Sequence, residues 1–159
     1  MTERHNVHAT GLVLGSTGIM LRGPSGSGKS LLTLSLIETW ETRGLRARLV
    51  ADDRLDLVAG RGVLTMHAPP TIAGLIELRG RGIVSRPHVD RARVHLVVDF
   101  VPKLDRMVEE EDLSTEVFGV SLPRCPVPKF GVAELGHQQL LVIEALRGIS
   151  TSRKREKAT

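Results

Sequence analysis

Cysteine is nearly absent from this sequence: Cys125 stands alone among 159 residues. An internal disulfide is therefore excluded. The six histidines have no Cys-x-x-Cys or His-Glu-x-x-His companion, so no structural zinc site is spelled out. Aromatic residues make up only 3%, so the core must be aliphatic, and a stacking platform for single-stranded nucleic acid is disfavoured. No apolar run reaches membrane-spanning length, and Met1-Thr2-Glu3-Arg4-His5-Asn6 carries no apolar signal core. The expected location is the reducing cytoplasm, away from any membrane. There is no internal repeat and no long linker, and the length suits one domain.

What the chain does have is an ordinary globular balance, 41% hydrophobic and 25% charged, with a formal net charge of +4 and a pI near 9.8. That balance favours acidic partners such as nucleotides or phosphoproteins. Part of it comes from Arg153, Lys154, Arg155 and Lys157, which crowd the end of the chain. Residues 148–159 are read as a solvated, disordered tail behind a folded domain spanning 1–147.

Hydrophobic periodicity predicts a strand over Val7–Leu14, a hairpin turn at Gly15-Ser16-Thr17-Gly18 and a short return strand at Ile19-Met20-Leu21. Lys29 to Arg43 reads as a helix that is apolar nearly all round in its first half and therefore well buried, with Gly44 as its C-terminal cap. Arg46–Ala51 is the next strand, ending at Asp52 and Asp53. A second hairpin is expected around Gly60-Arg61-Gly62. Beyond Pro69-Pro70, Thr71–Leu78 is a helix or a turn. Arg93–Phe100 is a strong strand, Lys103–Asp112 a charged loop, and Val117–Leu122 another strand. Pro123, Pro126 and Pro128 then punctuate a connection before an amphipathic helix over Glu134–Arg147. The expected fold class is an α/β single domain whose mixed sheet carries antiparallel hairpins.

The strongest chemical signal is Gly23-Pro24-Ser25-Gly26-Ser27-Gly28-Lys29-Ser30, which matches G-x-x-x-x-G-K-[ST] at every fixed position and lies between a predicted strand and a predicted helix. Glycines let the backbone turn its N–H groups onto phosphate oxygens, and the helix adds its positive N-terminus. Lys29 would reach the β- and γ-phosphates of ATP, and the Ser30 hydroxyl would bind Mg²⁺. Such a loop needs a carboxylate partner. Two apolar runs end in one: Leu49-Val50-Ala51-Asp52-Asp53 and Leu96-Val97-Val98-Asp99. The paired acids are the better candidate, because one can hold the metal while the other accepts a hydroxyl proton. Asp99 reads as an ordinary strand-end residue.

With the loop and the acid pair in place, several further segments resemble one family, the catalytic domain of HPr kinase/phosphorylase. Val7-His8-Ala9-Thr10-Gly11 looks like its histidine-bearing strand, Leu49-Val50-Ala51-Asp52-Asp53-Arg54 like its second motif, and Ala68-Pro69-Pro70 with Ile76-Glu77-Leu78-Arg79-Gly80-Arg81-Gly82-Ile83 like its signature segment. The resemblance spans most of residues 7 to 147 and looks like the truncated, α-proteobacterial form that lacks the N-terminal domain. The segment after the signature is short here, and the family's C-terminal arginine-asparagine motif is not evident near Gly131-Val132-Ala133-Glu134. The resemblance implies a phosphoenolpyruvate-carboxykinase-like fold and an ATP- and Mg²⁺-dependent protein serine kinase. Its acceptor would be an HPr-like phosphocarrier protein of the sugar phosphotransferase system, with a reverse phosphorylase reaction and homo-oligomers as family features. It further implies Asp52 as the base, with His8 beside the acid pair tuning its charge. Ser30, Asp53 and Glu77 would lie at the metal, and Arg106 would come from a mobile loop over the site.

Two other readings stay open on the residues alone: a small-molecule kinase of the phosphate-loop class, and a non-catalytic module that senses ATP. The Arg79-Gly80-Arg81-Gly82 run is too short, and too poor in neighbouring aromatics, to argue for RNA contact.

Overall fold

The structure, a computed structural model, describes residues 3–158, with side chains as far as Ser152. In chain order the strands are β1 (Arg4–Val7), β2 (Ala9–Leu14) and β3 (Thr17–Arg22), then helix α1 (Lys29–Thr42). There follow β4 (Ala47–Ala51), β5 (Leu55–Gly60), β6 (Val63–His67), β7 (Leu75–Leu78), β8 (Gly82–Ser85), β9 (Arg91–Arg93) and β10 (Leu96–Val101). β11 (Ser114–Val117), β12 (Val120–Pro128) and helix α2 (Leu135–Ala158) close the chain.

Three layers result. A six-stranded sheet, β11-β12-β10-β3-β2-β4, lies at the centre. β10 runs parallel to β3 and β12, and the other pairs are antiparallel. Side-chain alternation sends Ile19 and Leu21 of β3 and Leu96 and Val98 of β10 to the face covered by α1 and α2. Met20 and Val97 go to the opposite face, where they meet Leu57, Leu64 and Met66 of a four-stranded sheet, β1-β5-β6-β9. Both layers are aliphatic, as the scarcity of aromatics requires. At Gly18 the sheets come so close that a Cβ would fall 1.8 Å from the Arg93 carbonyl oxygen, which only glycine avoids.

The mixed α/β sheet with antiparallel hairpins matches the expected class, but several elements differ from the sequence reading. The strand expected over Val7–Leu14 breaks at His8, so that β1 joins one sheet and β2 the other. Thr71–Leu78 forms a single 3₁₀ turn at Pro70–Ile72 and then β7, which pairs with β8 in a separate hairpin. Gly80 and Gly82, at φ 96° and 111°, provide its turn. The proline-punctuated connection is instead strand β12. Just past its end the Lys129 N–H donates to Val101 O at 2.9 Å, so even-numbered positions point their nitrogens away from β10. Pro126 and Pro128 fall on those positions and cost the parallel ladder no donor. The closing helix, expected over Glu134–Arg147, continues to Ala158 and takes in the backbone of the segment read as a disordered tail. Ile149 explains part of the extension, since it packs on the core beyond Arg147. Among the described residues, no helix is long and apolar enough to cross a membrane.

Candidate active site

The two breaks between the sheets build the site. The chain leaves the four-stranded sheet for the six-stranded one at His8, and makes the reverse passage at Asp52-Asp53. On one side of the break Val7 pairs with Leu55, and on the other Gly11 pairs with Ala51. Register alone therefore brings His8 against the acid pair across 45 residues of sequence. His8 Nε2 bonds Asp53 Oδ1. Asp53 sits at φ 71°, a left-handed conformation that aspartate tolerates better than most residues, and this turns its carboxylate outward.

Thr10 pins the corner. Its fully buried hydroxyl donates to Asp52 Oδ1 at 2.9 Å and accepts from the Asp53 N–H at 3.1 Å. Asp52 faces the phosphate loop. Ser30 Oγ donates to its Oδ1 at 2.8 Å, and the Glu77 N–H reaches its Oδ2 at 3.3 Å.

The Gly23–Gly28 segment joins β3 to α1, as the motif requires. Gly26 and Gly28 adopt φ 82° and 103°. A Cβ at Gly23 would stand 2.8 Å from the Phe100 Cβ, so the loop's entry cannot carry a side chain without a shift. Lys29 is buried, and its ammonium donates to the carbonyls of Gly23 at 2.7 Å and Pro24 at 3.1 Å. Burial lowers its pKa, and the charges of Asp53 and Asp52 pull in the opposite direction without cancelling the effect. A lysine held this way is a cation short of solvation, which favours phosphate oxygens as partners.

Together these groups line an open cleft of about 350 Å³, walled by the loop, Asp52, Asp53, Glu77, Arg79 and the apolar side chains of Leu31, Leu78 and Phe130. Oxygen donors converge on the Ser30 side, a donor set that suits a hard divalent cation. Among the described residues there is no group of three or more His, Cys, Asp or Glu side chains arranged to hold a metal.

The family described as HPr Serine kinase C-terminal domain matches residues 1–154. The chain belongs to that family. Two HPr kinase/phosphorylases of Streptococcus pneumoniae, strains Hungary19A-6 and ATCC 700669 / Spain 23F-1, are each 33% identical over 159 residues. The alignment takes in 91% of this chain but 47% of each relative, so the chain spans about half their length. The solved structure of the Hpr(Ser) kinase/phosphatase from Coxiella burnetii superposes with a TM-score of 0.72 at 27% identity, covering 94% of this chain and 99% of that one. The phosphate-loop α/β fold of the family is therefore the fold of this chain.

The structure brings together most of the side chains singled out from the sequence. Lys29, Ser30, Asp52, Asp53 and Glu77 share the cleft, and His8 bonds one of its acids. Arg106 is not among the lining residues. It is exposed on the segment between β10 and β11, and the arginine in the cleft wall is Arg79. Asp99, read as an ordinary strand-end residue, lies instead inside β10, where it has a structural role. Arg22 bonds both its oxygens at 2.8 Å, and Arg124 Nε adds a third bond at 2.6 Å. Burial would raise its pKa, but the hydrogen bonds and charges of the two guanidiniums outweigh burial and hold it below the usual range. Sequence reasoning gave no roles to Thr10 or Phe130. Thr10 lay within the histidine-bearing segment and two residues from His8, a signal for a partner of the acid pair; Phe130 had no motif to mark it.

Proposed function

We propose that this domain is a cytoplasmic protein serine kinase that transfers the terminal phosphoryl group of ATP to a serine of an HPr-like phosphocarrier. The observation that carries this reading is the contact between loop and acids: Ser30, the hydroxyl expected at the metal, bonds a carboxylate of the pair that could take the acceptor's proton. Family membership supplies the acceptor class, since the relatives are HPr kinase/phosphorylases.

In the forward reaction the acceptor serine loses its hydroxyl proton to a carboxylate as its oxygen bonds the terminal phosphorus. The bond from that phosphorus to the bridging oxygen breaks, and the nucleoside diphosphate leaves. The loop amides and Lys29 hold the phosphates in line. Ser30, Asp53 and Glu77 would hold magnesium, which neutralises charge on the β- and γ-phosphates when bound. Arg79 already faces the cleft and can offset charge on the transferring group. Arg106 would join it only if its segment moves over the cleft. Reverse transfer from phosphoserine to inorganic phosphate uses the same acid as proton donor.

The base is assigned to Asp52, with His8 and Asp53 beside it. The Ser30–Asp52 bond favours a second assignment, in which Asp52 serves the metal and Asp53, backed by His8, takes the proton. Labelled ATP mixed with the protein and an HPr-like carrier tests both. Phosphate is expected on a carrier serine. Asp52→Asn should lower transfer by about 10²–10⁴-fold while Mg²⁺-ATP still binds. If Asp53→Asn does this instead, and Asp52→Asn loses Mg²⁺-dependent binding, the roles are exchanged. Normal transfer by both variants would remove the acid pair from the mechanism.

A further inference from the structure

Phe130 is an exposed aromatic side chain in a protein that has almost none. Phe100 is buried, Trp40 packs against the core, and the Phe118 ring stacks on His5 with centroids 3.9 Å apart. Phe130 is 61% exposed, yet it lines the phosphate cleft.

The residue is also held in place. Its N–H donates to Ser27 O at 2.9 Å, directly across from the loop. The preceding N–H, from Lys129, extends the β12 ladder to Val101 O at 2.9 Å. Lys129 O then accepts from both Val132 and Ala133, closing a tight turn around Gly131 at φ 91°. A Cβ built on Gly28 would lie 3.2 Å from the Phe130 Cβ, so the side chain rises from the backbone immediately beside the last glycine of the loop. The ring is thus fixed to the phosphate-binding backbone. The apolar part of the cleft wall consists of Phe130, Leu31 and Leu78, while the charged groups surround Lys29 and Ser30.

We propose that Phe130 contacts the nucleoside of the phosphoryl donor, packing against its base, and so makes this cleft prefer a nucleoside triphosphate to an inorganic polyphosphate. The inference rests on the phosphate-loop reading above and adds to it a residue that recognises the nucleoside end of the donor. Loop amides and Lys29 grip any polyphosphate alike. Only an apolar surface beside the loop rewards a donor that carries a base. An aromatic face suits this, because every base presents a π-surface to it.

Calorimetric titration of the whole chain with Mg²⁺-ATP and with Mg²⁺-tripolyphosphate tests the inference without any turnover. Phe130→Ala should weaken ATP binding by about fivefold to tenfold, the low end of base–aromatic stacking for a ring with one face engaged. Tripolyphosphate should bind the variant as it binds the parent, which also shows that the loop is intact. Phe130→Trp should keep ATP affinity within about twofold, since it restores the aromatic face. Unchanged ATP affinity in Phe130→Ala overturns the proposal. So does an equal loss for both ligands, which would make the ring a prop for the loop. A parent chain that binds neither ligand would overturn the phosphate-loop reading together with this one. A parent that binds both as described but phosphorylates no carrier would overturn the kinase reading alone.

Discussion

Two acidic sites lie on the same six-stranded sheet, Asp52 and Asp53 just past the end of the edge strand β4 and Asp99 inside β10, with β3 and β2 between them, and the sequence writes them almost alike: Leu-Val-Ala-Asp-Asp at residues 49–53 and Leu-Val-Val-Asp at 96–99. Their surroundings are opposites. Asp99 is clamped by Arg22 and Arg124, and Arg124 also bonds Asp112 O at 3.0 Å, so three segments are tied to one carboxylate. Asp52 and Asp53 face hydroxyls, an imidazole and an open cleft, with Lys29 as the nearby buried cation. A carboxylate whose lone pairs are filled by guanidiniums has no capacity left for metal or proton. One that meets hydroxyls and lies beside a buried lysine keeps both. Asp99 is committed to holding the fold, whereas Asp52 and Asp53 keep the free capacity that the proposed chemistry needs.

The sharpest way to break this comparison is to remove the cation of the cleft. Lys29→Met should abolish nucleotide binding and lower phosphoryl transfer by about 10³-fold or more, because positioning and charge stabilisation are nearly all the protein supplies to this reaction. The fold should survive, since the methionine stem fills the same buried space, and circular dichroism melting checks that. If the variant still binds ATP tightly, Lys29 serves only to close the loop on the carbonyls of Gly23 and Pro24.

How far these clusters could be told apart from sequence follows from range. The phosphate loop was legible because its chemistry is local: glycines, lysine and serine act within eight residues, and the flanking strand and helix are set by their own periodicity. The Asp pair was legible only beside that loop. What sequence could not show was the break at His8, because Val7 to Leu14, with no turn residue between His8 and Thr10, reads as one strand, and the switch between sheets depends on pairing with β5 and β4. The strand through Pro126 and Pro128 was hidden for a similar reason. Proline excludes a ladder only on the side its nitrogen faces, and that side is fixed by the register with β10. The helix or turn expected at Thr71–Leu78 gave way to a β-hairpin whose second strand follows the Gly80 and Gly82 turn.

The holding cluster yields a smaller effect with a distinct pH signature. Asp99→Asn leaves two guanidiniums facing an amide that can accept from only one side, and should destabilise the fold by about 2 kcal/mol, below the usual cost of breaking a buried pair because Arg22 and Arg124 are partly exposed. The folded pKa of Asp99 is depressed, so its contribution is fully present above the ordinary carboxylate range, near 3.8, and is lost as pH falls through the folded value. Parent and variant should therefore differ most near neutral pH and converge in urea denaturation series carried well below the ordinary carboxylate range. A difference that stays constant over that range would mean that Asp99 acts through packing rather than charge. Nucleotide affinity, by contrast, should change little in this variant, because the clamp lies outside the cleft lining.

The smallest expected effect separates two arginines. Arg79 lies in the cleft wall, whereas Arg106 is exposed on the segment after β10. In the absence of a carrier protein, Arg79→Ala should weaken ATP binding by about threefold to tenfold, the scale of one partly exposed charge near phosphate, while Arg106→Ala should alter it by less than about twofold. The contrast should shrink at high salt, since an exposed guanidinium is screened over about 3 Å at 1 M ionic strength. Equal losses in both variants at low salt would show that the Arg106 segment reaches the nucleotide before any acceptor arrives. In that case the site closes on its donor alone, and the open cleft bounded by Arg79 is one of two states rather than the resting geometry of the bound enzyme.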